Sequence, residues 1–392
     1  MIEFKDISSD EFSRKISLKY YPRTMKLKFK KEFITPFRAV VDTEYNKKAD
    51  FPNQIKLIDA VSIKVKYFTA EDISSFLRKN GAMKKLNDGI QYFMKGATDS
   101  YLSILSLRPL YNKKWPELNQ EGFIRFMRFL DIAEGNLTTR SLPVISTSIE
   151  YKHIVEEFCK QYTESNPIIW LDLNEDETAF EKRIDILKSL VKEGRLQMLG
   201  FYSDRFKTGL DYNVNLDYIY SNFKDSNVAL IYEGSNKSFS PKFSGPSKIH
   251  YHPFELFDII SPYRFPRGGG GNSKKAKKKE KTLLEKINQI PFLDKEEVSL
   301  RQFKDMNEEN IKKYLDKRSR EYIDDIIYKI ENPDLLNKDD TKSFKSFADV
   351  QQIVAGGEAM AGISNSIKKR ETFEYLESKK NFETEIKAKL SK

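Results

Sequence analysis

Short apolar runs alternate with amphipathic helical patterns through the middle of this chain, and this alternation limits the folds open to it. The apolar runs read LPVISTS, NPIIWLDL, LQMLGFYSD and VALIYEG. The clearest helix carries four apolar residues on one face: Phe180, Ile184, Leu187 and Val191. Thr178 and Glu181 form its predicted capping box, and Gly194 marks its predicted end. Apolar strands separated by helices are typical of parallel βαβ units whose sheet is covered on both faces. Upstream, FRAVVD, VSIKVKYF and YLSILSL are further strand candidates, which bring the total close to eight. The pattern predicts an α/β protein and favours a (β/α)8 TIM-like barrel over an open doubly wound sheet.

A glycine- and lysine-rich stretch, GGGGNSKKAKKKEK at residues 268–281, is the sharpest change of composition in the chain. The glycines leave the backbone unrestrained and the lysines repel one another, so the stretch predicts a flexible basic linker. It separates a barrel at 1–267 from a C-terminal block at 282–392. Helical spacing in that block predicts a small α-helical domain, for which docking to a partner is the simplest interpretation.

The net charge, the hydrophobic content and the few cysteines and histidines exclude several classes of protein. The 68 lysines and arginines outnumber the 58 aspartates and glutamates, and the net charge of +10 is compatible with a polyanionic partner such as nucleic acid. Hydrophobic residues make up 39% of the chain, which argues against global disorder, and no apolar run reaches the ~18 residues that span a bilayer. The one cysteine, Cys159, excludes a disulfide framework and a multi-cysteine zinc site, and His250 and His252 would need further ligands to hold a metal. We therefore expect a cytoplasmic protein without a secretory signal, a membrane partner, a metal or a cofactor, in which Cys159 is buried and inert.

Acidic residues follow several of the predicted strands, where a barrel places its reactive groups. They are Asp42, Asp99, Asp172, Asp204, Glu233 and Asp258. Asp172 and Asp258 stand among apolar residues, in IIWLD and FELFDII, where a carboxylate loses its hydration unless it is paired. The alternative for each is an ordinary strand-end aspartate that caps the next helix or turns out to water.

Three segments of the chain together carry a resemblance to a known family. They are Thr35-Pro36-Phe37; the stretch from Gly89 to Thr98-Asp99-Ser100; and Phe257-Asp258 followed by Pro262, Arg264, Arg267 and Gly268. In this order they resemble the tRNA-guanine transglycosylase family and its DNA-modifying relatives. The run IIWLDLNED also resembles the strand of that family that ends in an aspartate contacting guanine.

The resemblance implies an enzyme that exchanges a guanine of a nucleic acid for a 7-deazaguanine-type base. It implies that Asp258 attacks C1′ of the sugar as the nucleophile and that Asp99 is the general acid/base, a division of labour known from retaining glycosidases. It also implies that Asp172 accepts hydrogen bonds from the N1–H and amino group of a flipped guanine. The remaining candidate substrate-binding residues are Ser100, Tyr101 and Tyr202 around the base, with Arg264 and Arg267 at the phosphates.

The chain also departs from the family pattern. Tyr101 and Leu102 replace the family's paired glycines, and the cysteine-rich zinc site has no counterpart because no cysteine follows Cys159. The missing zinc module slightly favours DNA over tRNA as the substrate. The alternative is a barrel without catalytic activity that binds nucleic acid, or binds a protein through its helical tail. The two hypotheses differ in whether Asp99 and Asp258 line one pocket.

Overall fold

A computed structural model describes residues 2–7, 22–29, 32–41, 44, 61–68, 84, 88, 91, 102–109, 117–135, 137–144, 149–202, 214–235, 245–246, 256–262, 282–294, 299–313, 315 and 317–379. The strands are β1 (Ile2–Ile7), β2 (Arg23–Lys28), β3 (Glu32–Ile34), β4 (Phe37–Arg38), β5 (Val40–Val41), β6 (Val61–Phe68), β7 (Leu102–Pro109), β8 (Arg140–Leu142), β9 (Pro167–Asp172), β10 (Met198–Tyr202), β11 (Ala229–Ser235), β12 (Gly245–Pro246), β13 (Ile259–Pro262), β14 (Pro291–Asp294) and β15 (Ser299–Gln302). The helices are α1 (Gln120–Glu134), α2 (Tyr151–Gln161), α3 (Glu177–Lys192), α4 (Val214–Phe223), α5 (Leu283–Asn288), α6 (Glu308–Lys312), α7 (Lys317–Glu331), α8 (Lys338–Lys369) and α9 (Thr372–Glu377).

Two parallel sheets form the centre of the described structure. Strands β4, β13, β11, β10, β9 and β8 lie side by side in this order in a six-stranded parallel sheet. Strands β5, β6 and β7 form a second parallel sheet, and β1, β2 and β3 form an antiparallel one. Helices α2, α3 and α4 each connect consecutive strands between β8 and β11. The predicted α/β fold with parallel strands is confirmed.

The central strands are buried on both faces, which explains why their sequences are continuously apolar. In β9, Ile169 and Leu171 pack with Phe180 of α3 in the core between sheet and helices. Ile168 and Trp170 point the opposite way, because side chains alternate along a strand. They belong to a second core, here called the inner core, which contains residues of both parallel sheets and of β1 and β2.

Helix α3 shows how local chemistry sets a boundary. The Asp176 carboxylate accepts the backbone N–H groups of Thr178 and Ala179 at 3.1 and 3.3 Å, so Asp176 is the N-cap. The predicted capping box of Thr178 and Glu181 is therefore wrong, since both residues lie inside the helix. The helix ends just before Gly194, as predicted, and the Gly194 φ of +72° is a left-handed conformation that favours glycine.

The C-terminal block shares a core with the rest of the chain. Met360 and Ile363 of α8 and Phe373 of α9 pack in the core that covers the outer face of the six-stranded sheet. Strand β12 pairs with β15, across the predicted boundary between the domains. The block is mainly helical, as expected, but it also contains β14 and β15, which the sequence pattern did not reveal. The proposed linker at 268–281 lies outside the described residues. Residues of both blocks pack in one core, and the division at 268–281 stays a prediction.

Candidate binding site at the carboxyl end of the strands

One face of the six-stranded sheet ends in a row of polar side chains. Asp172 pairs with Tyr202, Tyr202 with Glu233, and Glu233 with Ser261, on the neighbouring strands β9, β10, β11 and β13. Because side chains alternate along a strand, the row shares the face of inner-core residues such as Trp170, two positions before Asp172. We call these four residues the carboxyl-end row, since the strands are parallel and each residue lies at, or within two residues of, the carboxyl end of its strand.

Strand β7 of the other parallel sheet supplies partners for Glu233. Arg108 Nη1 donates a hydrogen bond to Glu233 Oε1 at 2.7 Å, and Ser106 Oγ donates to Oε2 at 2.8 Å. The side chains of Arg108 and Glu233 are both 0% exposed. The two parallel sheets therefore face each other across the inner core and are joined there by a buried ion pair.

The Arg108 guanidinium also lies against aromatic rings. Its central carbon is 4.1 Å from the centre of the Tyr202 ring and 5.6 Å from that of the Tyr67 ring. Both distances allow attraction between the cation and the π face. Tyr202 is buried, and Arg108 covers one face of its ring. A base cannot stack on that face, and with the whole side chain only 1% exposed the structure gives no support to the stacking role predicted for Tyr202.

Ser106 and Arg108 are not among the residues predicted from the sequence. The signal that points to them is the alternation in LSILSLRP, where they continue the face of the inner-core residues Leu102 and Ile104. A buried strand face that changes from apolar to polar toward its carboxyl end indicates a polar site at that end.

Asp172 is the accessible carboxylate of the carboxyl-end row. It is half-buried, whereas Tyr202, Glu233 and Ser261 are buried. Its Oδ1 accepts the backbone N–H of Asn174 at 2.8 Å and the Asn174 side-chain amide at 2.9 Å. Its Oδ2 accepts no hydrogen bond from the part of the chain that the structure describes. Asp172 does not cap α3, since Asp176 does, and one carboxylate oxygen remains for a ligand.

Asp258 lies in different surroundings. It precedes β13 and is fully buried, and its Oδ2 accepts a 2.6 Å hydrogen bond from Arg23 Nη2 and a 2.8 Å hydrogen bond from the backbone N–H of Leu230. Thr35 Oγ1 donates to Oδ1 at 3.3 Å, so the first and third segments of the family resemblance meet here. Burial raises the pKa of Asp258, while Arg23, Leu230 and Thr35 act to lower it.

Arg23 joins β2 to this edge of the sheet. Besides Asp258, its guanidinium donates to backbone carbonyl groups in the turn between α4 and β11, those of Phe223, Lys224, Ser226 and Val228. The buried Arg23 guanidinium thus has acceptors in the Asp258 carboxylate and in these carbonyl groups, as a buried ion pair requires. Their geometry is that of a structural anchor.

Asp172 and Asp258 lie at opposite ends of the sheet. Asp258 precedes Ser261 of the carboxyl-end row by three residues, which is about 10 Å along a strand. Catalytic groups of parallel barrels share the carboxyl end, whereas Asp258 is at the amino end. It is also buried and engaged by Arg23. The structure does not bring the two residues together, and it gives no support to Asp258 as an attacking group.

Most of the other candidate residues lie outside the described part of the chain. These are Asp42, Asp99, Ser100, Tyr101, Asp204, His250, His252, Arg264 and Arg267. Cys159 is described and buried, and burial raises the pKa of its thiol to about 12, which keeps it protonated and unreactive.

Two kinds of feature are absent from the described ranges. No group of three or more histidine, cysteine, aspartate or glutamate side chains is placed to hold a metal ion. No helix there combines the length and the apolar character needed to cross a membrane.

The sequence matches no protein-family model, and no curated protein matches it.

Proposed function

We propose that this chain binds a guanine-type base of a nucleic acid at the carboxyl end of its parallel strands, with Asp172 as the residue that recognises the base. The observation that carries the proposal is the position of Asp172. It is the accessible acid of the carboxyl-end row, and one of its oxygens has no partner among the described residues. A barrel binds its ligand at this end.

The proposal includes closure of the two parallel sheets into one eight-stranded barrel. Ala39, between β4 and β5, donates its N–H to Ile260 of β13 at 2.9 Å, which links the two sheets on one side. On the other side Ser103 of β7 accepts a 2.9 Å hydrogen bond from Thr139 Oγ1, next to β8. With β4 and β5 counted as one interrupted strand, the parallel strands number eight in the described chain. The shared inner core agrees with such a closed arrangement.

The ion pairs of the site favour a hydrogen-bond donor as the ligand. Arg108 pairs with Glu233, whereas Asp172 forms no ion pair with the described residues and offers an acceptor oxygen. The N1–H and amino groups of guanine are two adjacent donors that suit a carboxylate. Adenine lacks the N1–H and presents an acceptor there instead. Asp172 would therefore select guanine over adenine.

The reaction we propose, from the resemblance, is exchange of that guanine for a 7-deazaguanine-type base in DNA or tRNA. Exchange needs a nucleophile at C1′, and the position of Asp258 makes it a poor choice for that role. The buried state of Asp258 also favours a second candidate function, binding of the base without exchange. Radiolabelled guanine added to the protein with DNA or with tRNA distinguishes them. Exchange transfers label into one of the nucleic acids, whereas binding alone leaves it free.

Asp172→Asn is expected to weaken guanine binding by roughly 10- to 100-fold, the cost of losing a hydrogen bond to a charged group. The amide keeps the shape of the side chain but removes the charge and turns one acceptor into a donor. Equilibrium dialysis with radiolabelled guanine measures the change, with adenine as the ligand control.

Asp176→Asn is the matched control variant, because Asp176 is an exposed acid in the same loop that caps α3. Its guanine affinity should equal that of the unmodified protein. Equal guanine affinity in Asp172→Asn, or equal binding of adenine and guanine by the unmodified protein, would rule out Asp172 as the recognition residue.

A further inference from the structure

We infer that the buried ion pair of Arg108 and Glu233 positions the proposed base site and is not there to stabilise the fold. The inference rests on the proposed function, since it names the residues that hold the recognition site in shape. Neither side chain is exposed, so neither is expected to touch the base directly.

The pair connects one strand of each parallel sheet. Arg108 comes from β7 and Glu233 from β11, and Ser106 of β7 binds the second oxygen of Glu233. Both Glu233 oxygens are thus held by β7. The carboxylate cannot rotate without breaking one of these bonds, and this fixes its orientation at the end of the sheet.

The Arg108 guanidinium contacts Tyr202, and Tyr202 is the neighbour of Asp172 in the base site. The central carbon of the guanidinium lies 4.1 Å from the Tyr202 ring centre, and Tyr202 pairs directly with Asp172 on the adjacent strand. Tyr202 also pairs with Glu233 on its other side. The Tyr202 ring, held against Arg108, gives Asp172 a neighbour of fixed orientation, which lowers the entropy lost when a ligand binds.

A buried ion pair is a weak way to gain stability. The desolvation of two charges offsets most of their attraction, and apolar residues of similar volume in their place are often neutral or stabilising. Removal of only one partner is strongly destabilising, because the other charge is then buried alone. A role in stability and a role in positioning therefore predict different behaviour for a double apolar variant.

The test is the double variant Arg108→Met/Glu233→Leu, measured by thermal unfolding and by equilibrium dialysis with guanine. We expect its melting temperature to equal or exceed that of the unmodified protein, while guanine affinity falls at least about tenfold. Arg108→Met alone should lower the melting temperature by roughly 5 °C. A loss of stability in Arg108→Met that is absent from the double variant would show that the unpaired Glu233 charge, and not the loss of the ion pair, destabilises the single variant.

A second buried pair provides the control. Arg38 Nη2 and Glu44 Oε1 are 2.8 Å apart, and both side chains are nearly fully buried, but neither belongs to the carboxyl-end row. Arg38→Met/Glu44→Leu should leave guanine affinity unchanged, so a loss confined to the Arg108 and Glu233 pair is specific to that position.

Each outcome decides the matter. Unchanged guanine affinity in Arg108→Met/Glu233→Leu overturns the inference and leaves the proposed function intact. A melting temperature of the double variant more than about 2 °C lower also overturns it, because the pair would then be a stabilising element. Absence of guanine binding by the unmodified protein removes the proposed function, and the inference with it.

Discussion

Replacement of Arg23 by methionine is expected to lower the free energy of unfolding by about 3–5 kcal/mol, the usual cost of leaving one partner of a buried ion pair alone. Asp258 would keep the backbone N–H of Leu230 but lose the guanidinium that neutralises it. The carboxyl would take up a proton to avoid the buried charge. The carbonyl groups in the turn before β11 would lose their donors as well. Urea-induced unfolding measures the change.

Arg125→Met is the matched control, because Arg125 forms an exposed ion pair with Glu121 one helical turn away, at 2.6 Å. Such pairs contribute about 0.3–0.5 kcal/mol. Similar losses in Arg23→Met and Arg125→Met would show that the buried pair does not anchor β2 to the sheet. A large loss only in Arg23→Met would support the structural assignment of Asp258.

Gly200→Ala is expected to lower the free energy of unfolding by up to about 3 kcal/mol, at the upper end of the cost of overpacking a core. A Cβ at Gly200 would lie 2.4 Å from two ring atoms of Trp170. The indole is rigid and fully buried in the inner core, so it can yield only by displacing its neighbours. Urea-induced unfolding again measures the change.

Trp170→Leu provides the second arm of a double-mutant cycle. It costs stability by itself, but it removes the ring that Gly200→Ala would strike. In the Trp170→Leu background, Gly200→Ala should therefore cost less than about 1 kcal/mol, which gives a coupling energy of about 2 kcal/mol. Equal costs of Gly200→Ala in both backgrounds would mean that Trp170 is not the constraint on Gly200.

The secondary structure was predictable where the periodicity of apolar residues is strong. The strand with Trp170 and the helix with Phe180 have clear patterns because both faces of the strand, and one face of the helix, are buried. Helix starts depend on a single side chain, and here Asp176 competed with Thr178 for that position. The pairing of β12 with β15 joins distant parts of the chain, which no local pattern records.

The candidate site was predictable only in part. Asp172 follows an apolar run, and a run of that kind has an identifiable end. Asp258 stands inside FELFDII, where the sequence does not show whether the strand comes before or after it; β13 starts at Ile259, which puts Asp258 at the other end of the sheet. The contact of Arg108 with Glu233 spans 125 residues and depends on how two sheets face each other. Such a contact follows from tertiary structure alone.

The most direct test of the central claim is a crystal structure of the protein with guanine bound. We expect the base at the carboxyl end of the parallel strands, with its N1–H and amino group about 3 Å from the Asp172 carboxylate. The buried ion pair of Arg23 and Asp258 should be unchanged at the opposite end. Guanine bound at Asp258, or bound away from Asp172 altogether, would contradict the account.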